Sequence, residues 1–188
     1  GRGMTGKRLV IFDVDGTLID SAPQIHAAAN KVFQSRGLPE FSQATVRGFI
    51  GNGVGVLVTR LMGHQGLVED PALHAELVGS FINIYEEAFD LTTLYPGVST
   101  ALSGLAEAGH RLAICTNKPE GLAEELLRKL GVRDAFAALV GADTLPVRKP
   151  DPAALVEALA RVVGTAARAL LIGDTSTDLD TGRNAGVP

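Results

Sequence analysis

A chain of 188 residues that is 46% hydrophobic and 20% charged has the makings of a buried core, and it is long enough for one α/β domain or for a core with a small inserted one. Its net charge of −4, with the basic residues dispersed, argues against a nucleic-acid surface, so attraction to an anionic substrate has to be local. No apolar run approaches the roughly 18 residues that span a bilayer, the chain goes directly into strand-like sequence so that no secretory leader is expected, and a single cysteine fits a reducing cytoplasm.

The first element is Leu9-Val10-Ile11-Phe12, four consecutive apolar residues that read as a strand buried on both faces. It runs directly into Asp13-Val14-Asp15-Gly16-Thr17. Carboxylates at the end of a hydrophobic strand are unfavourable unless a cation meets them, and an oxygen-seeking ion such as Mg²⁺ resolves the repulsion between Asp13 and Asp15. Gly16 lets the chain turn and bring backbone amides toward an anion. Taken alone, the stretch can also be read as a helix-capping aspartate followed by a turn aspartate.

From Ser21 to about Phe89 the periodicity is helical and no strand-like run intervenes. Ser21-Ala22-Pro23 reads as an N-cap with proline in the first turn, Ile25, Ala28, Ala29, Val32 and Phe33 as an apolar face, and Gly37 as a stop. Val46–Ile50 and Val54–Met62 predict two short helices hinged at Gly51-Asn52-Gly53-Val54-Gly55, a cluster that lacks the lysine and the preceding strand of a nucleotide-binding loop. Asp70-Pro71 opens a longer helix through Leu73, Leu77, Val78, Phe81, Ile82, Tyr85 and Phe89. These helices form a block inserted after the first strand, the position at which lids are built.

Beyond Leu94 strands alternate with helices. A helix with Val98, Ala101, Leu102, Leu105 and Ala106 stops at Gly109; a strand covers Arg111–Cys115 and ends in Thr116-Asn117-Lys118-Pro119. A helix through Leu122, Leu126, Leu127 and Leu130 stops at Gly131, and Ala137–Gly141 is a further strand. Asp151-Pro152 opens a helix through Leu155, Leu159, Val162 and Val163 closed by Gly164, and Ala169–Ile172 is a strand ending in Gly173-Asp174. The alternation predicts a doubly wound parallel sheet with a Rossmann-like core at 1–20 and 92–188 and an all-helical cap at 21–91. Cys115 sits in an apolar run with no histidine beside it and reads as core, and His26, His64, His74 and His110 lack the spacing of a zinc site.

In such a sheet ligands bind at the carboxyl ends of the strands. The polar residues that strand and helix patterns leave unexplained fall there: Asp13, Asp15, Thr116, Asn117 and Asp174, with Lys149 in a loop entering a helix and Asp178 four residues past Asp174. Singly, Thr116-Asn117 also reads as a turn, Lys149 as a solvated charge, and Asp178 or Asp180 as a helix N-terminal acid; for Asp180 that plain reading stands. Together they supply what phosphoryl transfer requires: a nucleophile, a proton carrier, donors and a positive charge for phosphate oxygens, and an oxygen-rich metal site.

Asp13-Val14-Asp15-Gly16-Thr17-Leu18 resembles the first motif of the haloacid dehalogenase superfamily; Thr116-Asn117-Lys118 looks like its second, Lys149 its third, and Gly173-Asp174-Thr175-Ser176-Thr177-Asp178 its fourth. The resemblance implies a Mg²⁺-dependent phosphatase in which Asp13 is the nucleophile that becomes a phosphoaspartate and Asp15 is the general acid/base. It further implies Thr116, Asn117 and Lys149 at the phosphate, with Asp13, Asp15, Asp174 and Asp178 around the metal. Dehalogenases of the superfamily lack the second aspartate, so Asp15 favours phosphoryl transfer. Phe49-Ile50-Gly51-Asn52-Gly53 resembles the cap loop of phosphoglycolate phosphatases, which makes Gly51, Asn52 and Arg60 candidates for substrate selection and 2-phosphoglycolate the expected substrate. A pyrophosphatase or β-phosphoglucomutase of the same cap class, or a non-catalytic phosphate- or metal-binding module, are the alternatives. The expected partner is a small phosphorylated metabolite, bound by a monomer or homodimer with no nucleic acid or membrane involved. Asn184–Pro188 reads as a turn into another strand, which relatives usually follow with a helix, so a shortened or missing C-terminus is an expectation too.

Overall fold

The computed structural model describes residues 8–87, 91–147, 149–161, 169–174 and 176–188. The chain divides into two compact units, Gly1–Leu18 with Leu94–Pro188, and Ile19–Thr93.

The first unit is α/β. Strands β1 (Leu9–Phe12), β4 (Arg111–Cys115), β5 (Ala138–Val140) and β6 (Ala169–Ile172) form a parallel sheet in the order β5-β4-β1-β6. Register pairs Ile11 with Ala113 and with Leu171. All four residues of β1 are buried, as a strand covered on both faces requires. Leu9, Ile11, Ala113, Cys115, Ala138 and Val140 share one cluster with Leu155 and Leu159 of α7 (Ala153–Arg161). The alternate residues Val10, Phe12, Leu112, Ile114 and Leu139 are buried as well, and Phe12 meets Phe136 edge to face at 6.0 Å. The remaining helices of this unit are α5 (Val98–Glu107), α6 (Glu120–Lys129) and α8 (Ser176–Ala185). From β1 the chain moves outward to β4 and β5 and then returns to β6 on the other side of β1, so the order reverses beside β1. In open sheets of this kind such a reversal is where ligands bind, outside the strands' carboxyl ends.

The second unit holds α1 (Ala22–Gln34), α2 (Gln43–Arg47), α3 (Val54–His64) and α4 (Pro71–Glu87). Asp70 starts α4 by accepting from the amides of Ala72 (3.0 Å) and Leu73 (3.4 Å). Buried Gln24 is satisfied by donating to the Tyr85 carbonyl at 2.8 Å.

Several expectations need correction. The helix expected at 46–50 lies at Gln43–Arg47, because Ser42 is extended (ψ 154°) and its hydroxyl accepts from the Thr45 amide at 3.1 Å, starting the helix before its apolar residue. Ser21 does precede α1, but it has helical dihedrals and makes no side-chain cap. Ala101 and Ala106 of α5 are exposed, leaving Leu102 as its buried anchor. Two-residue strands β2 (Ile19–Asp20) and β3 (Thr93–Leu94), which pair with each other, and a 3-10 turn at Arg133–Ala135 are too short to carry a periodicity. Phe89, Val162, Val163, Gly164 and Thr175 lie outside the described residues. At Asn184–Pro188 the turn is present, with Gly186 at φ +69°, and the Pro188 carbonyl accepts from the Leu171 amide at 2.9 Å beside β6.

Candidate active site

Asp13 extends the β1–β6 ladder by one bond, its amide donating to the Ile172 carbonyl at 3.0 Å. The chain then turns, with the amides of Thr17 and Leu18 on the Val14 carbonyl at 3.2 and 2.9 Å. Gly16 is required twice over. Its φ of +78° is left-handed, and a Cβ there would lie 2.0 Å from an Asp174 carboxylate oxygen. Gly173, at the end of β6, is needed for room alone, since its Cβ would lie 2.3 Å from the Asp178 carboxylate.

These close approaches bring the carboxylates of Asp13, Asp174 and Asp178 together, one oxygen of each lying within 4.8 Å of the others. Asp13 and Asp178 are buried, and the Lys149 ammonium bridges them, 3.1 Å from Asp13 and in tight contact with Asp178. Burial pushes the Asp13 carboxyl up to about 7; Lys149 opposes the rise, while Asp178 and Asp15 add to it. Burial and then Asp178 hold Asp174 above the usual carboxylate range, although its oxygen accepts from the Thr17 hydroxyl at 3.3 Å. Burial works to lower the Lys149 pKa, but the two carboxylates outweigh it and hold the ammonium above its ordinary value. Asp178 also accepts from the Asp174 amide at 3.2 Å, which fixes the turn that carries Asp174.

Asp15 stands apart from this cluster. Its carboxylate takes the Lys118 ammonium on both oxygens, at 3.1 and 3.4 Å, with the lysine side chain buried. Thr116 and Asn117 follow β4 and are buried; the Asn117 amide donates to the Lys149 carbonyl at 3.1 Å, tying that loop to β4. The Thr116 hydroxyl accepts from the Lys118 amide at 3.1 Å, which leaves its own hydrogen for an acceptor.

A family model described as haloacid dehalogenase-like hydrolase matches residues 10–188. The chain belongs to that family. This haloacid dehalogenase-like hydrolase is 45% identical over 179 residues to a phosphoglycolate phosphatase of Cereibacter sphaeroides, an alignment covering 95% of this chain and 81% of the relative. A phosphoglycolate phosphatase of Vibrio cholerae is 37% identical over 188 residues, covering 97% and 83%. Among solved structures, a predicted phosphoglycolate phosphatase from Haemophilus somnus superposes with a TM-score of 0.90 at 29% identity, covering 98% of this chain and 84% of that one.

Within the hydrolase's core the sequence had pointed to Asp13, Asp174, Asp178 and Lys149, and these converge. What it missed is Lys118 as the partner of Asp15, and Thr17 as a donor to Asp174. The only signal for Lys118 was its place in the polar run after β4. Asp180 is exposed. Cys115 is fully buried with its thiol pushed up to about 12 by burial, so it is packing. In the helical unit, Arg60 donates to the Phe49 carbonyl at 3.1 Å and to the Asn52 side-chain oxygen at 3.0 Å, bracing the loop that contains Gly51 (φ +125°).

The donor set fits a hard divalent cation. It is all oxygen, and Asp13 and Asp174, whose pKa values are raised by burial first and by neighbouring carboxylates second, carry charge that such an ion offsets. Among the described residues no helix is long and apolar enough to cross a membrane.

Proposed function

We propose that this hydrolase is a Mg²⁺-dependent phosphomonoesterase that acts on 2-phosphoglycolate through an aspartyl-phosphate on Asp13. The observation that carries the reading is the three-carboxylate cluster bridged by Lys149 at the sheet's carboxyl rim, in a chain with phosphoglycolate phosphatases among its relatives. Mg²⁺ held by Asp13, Asp174 and Asp178 supplies charge compensation for a bound phosphate. An Asp13 oxygen attacks phosphorus as the ester P–O bond breaks, and Asp15 gives its proton to the leaving alkoxide. Asp15 then takes a proton from water, whose oxygen attacks the phosphorus of the acyl phosphate; inorganic phosphate leaves and Asp13 is regenerated. The Thr116 hydroxyl and neighbouring amides donate to phosphate oxygens, Asn117 holds the Lys149 loop, and Lys149 offsets negative charge on the phosphoryl group. The helical cap, 21–91, is assigned substrate selection through Gly51, Asn52 and Arg60. A reducing cytoplasm suits the single buried cysteine.

The test is phosphate release in Mg²⁺ from 2-phosphoglycolate, pyrophosphate and sugar phosphates. The highest kcat/KM is expected for 2-phosphoglycolate, with none remaining in Asp13→Asn. A preference for pyrophosphate or a sugar phosphate overturns the substrate, and turnover retained in Asp13→Asn overturns the covalent route.

A further inference from the structure

Four carboxylates crowd the rim of this sheet, yet one of them, Asp15, lies outside the set of three whose oxygens are within 4.8 Å of one another. It is not remote, since it follows Asp13 by two residues and its neighbour Gly16 packs so closely on the Asp174 carboxylate that a Cβ there would lie 2.0 Å from it. What separates it is Lys118. The ammonium contacts both Asp15 oxygens, and the side chain that carries it is 5% exposed. The backbone is pinned on both sides as well: the Lys118 amide donates to Thr116, and its carbonyl accepts from the Ala142 amide at 2.9 Å. The two buried lysines thus divide the carboxylates between them, Lys149 taking Asp13 and Asp178 while Lys118 takes Asp15.

We propose that Lys118 is a positioning residue that keeps the Asp15 carboxylate out of the metal cluster, so that it serves proton transfer instead of ligating the ion. The inference rests on the reading of Asp15 as the proton carrier. A carboxylate on a short side chain two residues from a ligand is a ready additional oxygen donor for a hard cation. Once ligated, it has surrendered the lone pair that proton transfer uses. A buried ammonium held at hydrogen-bond distance competes for those oxygens, and its reach is fixed because its own backbone is anchored.

The experiment measures Mn²⁺ affinity, by titration with free Mn²⁺ read from its electron paramagnetic resonance signal, alongside kcat. Compared are the wild type, Lys118→Met, Lys118→Arg, Asp15→Asn and the Lys118→Met/Asp15→Asn double variant. Lys118→Met should bind Mn²⁺ roughly tenfold tighter while kcat falls by about 100-fold or more, opposite movements that general loosening of the site does not produce. Lys118→Arg, which can hold Asp15 with its fork, should keep near-wild-type affinity. The tightening should vanish when Asp15 is already asparagine, because it comes from the carboxylate's joining the cluster. Affinity in Lys118→Met that equals or falls below the wild type overturns the proposal. So does a gain that persists in the Asp15→Asn background, which would trace to removal of a positive charge alone. If Lys118→Met does not fold, Lys118→Gln gives the same comparison. Absence of phosphatase activity in the wild type would sink the proposed function while leaving the affinity comparison to decide this one.

Discussion

Lys149→Met puts the electrostatics of the site to its hardest test. The substitution keeps the volume of the stem and removes the charge that joins Asp13 to Asp178. At 3.1 Å and an effective dielectric of about 20, the attraction to Asp13 alone is about 5 kcal/mol. Even with that attraction, the Asp13 carboxyl stands at about 7 against an ordinary 3.8, so ionising it in the fold is disfavoured by about 4 kcal/mol. Removing the lysine strips the partner from two buried charges, for which a loss of about 3–5 kcal/mol is expected, or about 6–20 °C in Tm for a chain of this size. The sign with pH follows from linkage. A carboxyl whose pKa is raised by folding binds an extra proton in the folded state between pH 3.8 and about 7, so metal-free stability falls as pH rises through that window. Because Lys149 holds the Asp13 pKa down, the variant keeps that proton to higher pH, so its deficit should grow as pH rises past 7 and should shrink toward pH 5, where Asp13 is protonated in both proteins. Mg²⁺ takes over part of the missing charge; an ion at 100 times its Kd adds about 2.7 kcal/mol to a state that binds it. Calorimetric melting in chelator at pH 8 and pH 5, and then in Mg²⁺ at pH 8, reads all three effects. A variant that melts within about 1 °C of the wild type in chelator at pH 8, or whose deficit is the same at both pH values, refutes the reasoning.

Three further outcomes are expected. Gly16→Ala should lose about 1–2 kcal/mol to its left-handed backbone, and more tellingly should weaken Mn²⁺ binding at least about tenfold, because its methyl displaces the Asp174 carboxylate; unchanged affinity in a titration would contradict the crowding. Asp13→Asn should remove turnover yet flatten the fall in metal-free Tm between pH 4 and 7, since no buried acid is left there to ionise at that position; a slope equal to the wild type's would show that Asp13 is not its source. Arg60→Lys cannot keep both the Phe49 and Asn52 bonds in one fork, so relative kcat/KM across phosphate esters should shift more than the rate on any one of them, and equal losses on all substrates would exclude selection by that loop.

The sheet was legible because its strands announce themselves. A run such as Leu9–Phe12 has no polar residue to place, and Arg111–Cys115 and Ala169–Ile172 were read at the bounds they adopt. Helix starts were legible where a side chain caps them, as Asp70 does, and misread where the capping residue was overlooked in favour of the apolar ones, as at Ser42. The pair β2 and β3 had no chance of being found, since two residues offer no alternation and their pairing partner lies some seventy residues away.

For the site the dividing line is between residue type and partner. Aspartates closing an apolar strand are conspicuous because they violate the pattern, and that alone singled out Asp13, Asp15 and Asp174. Which ammonium meets which carboxylate is a tertiary fact: Lys118 and Asp15 are 103 residues apart and Lys149 and Asp178 29. Nothing local distinguishes the two lysines. The need for Gly16 and Gly173 is likewise half hidden, since a turn glycine is visible in sequence but the carboxylate filling the space of its absent Cβ is not. Once those pairings are known, the charge of the site follows. Among the described residues four carboxylates face two buried ammonium groups, a balance of two negative charges when all four acids are ionised. One divalent cation carries that charge, whereas a third lysine would leave one negative charge over and a monovalent ion would do the same. The excess sits on the cluster side, because Lys118 neutralises Asp15 and Lys149 is shared between two of the three remaining acids. The two lysines therefore do more than relieve repulsion: by neutralising one acid and sharing a single charge among the other three, they set where on the rim a divalent ion would meet the most negative charge.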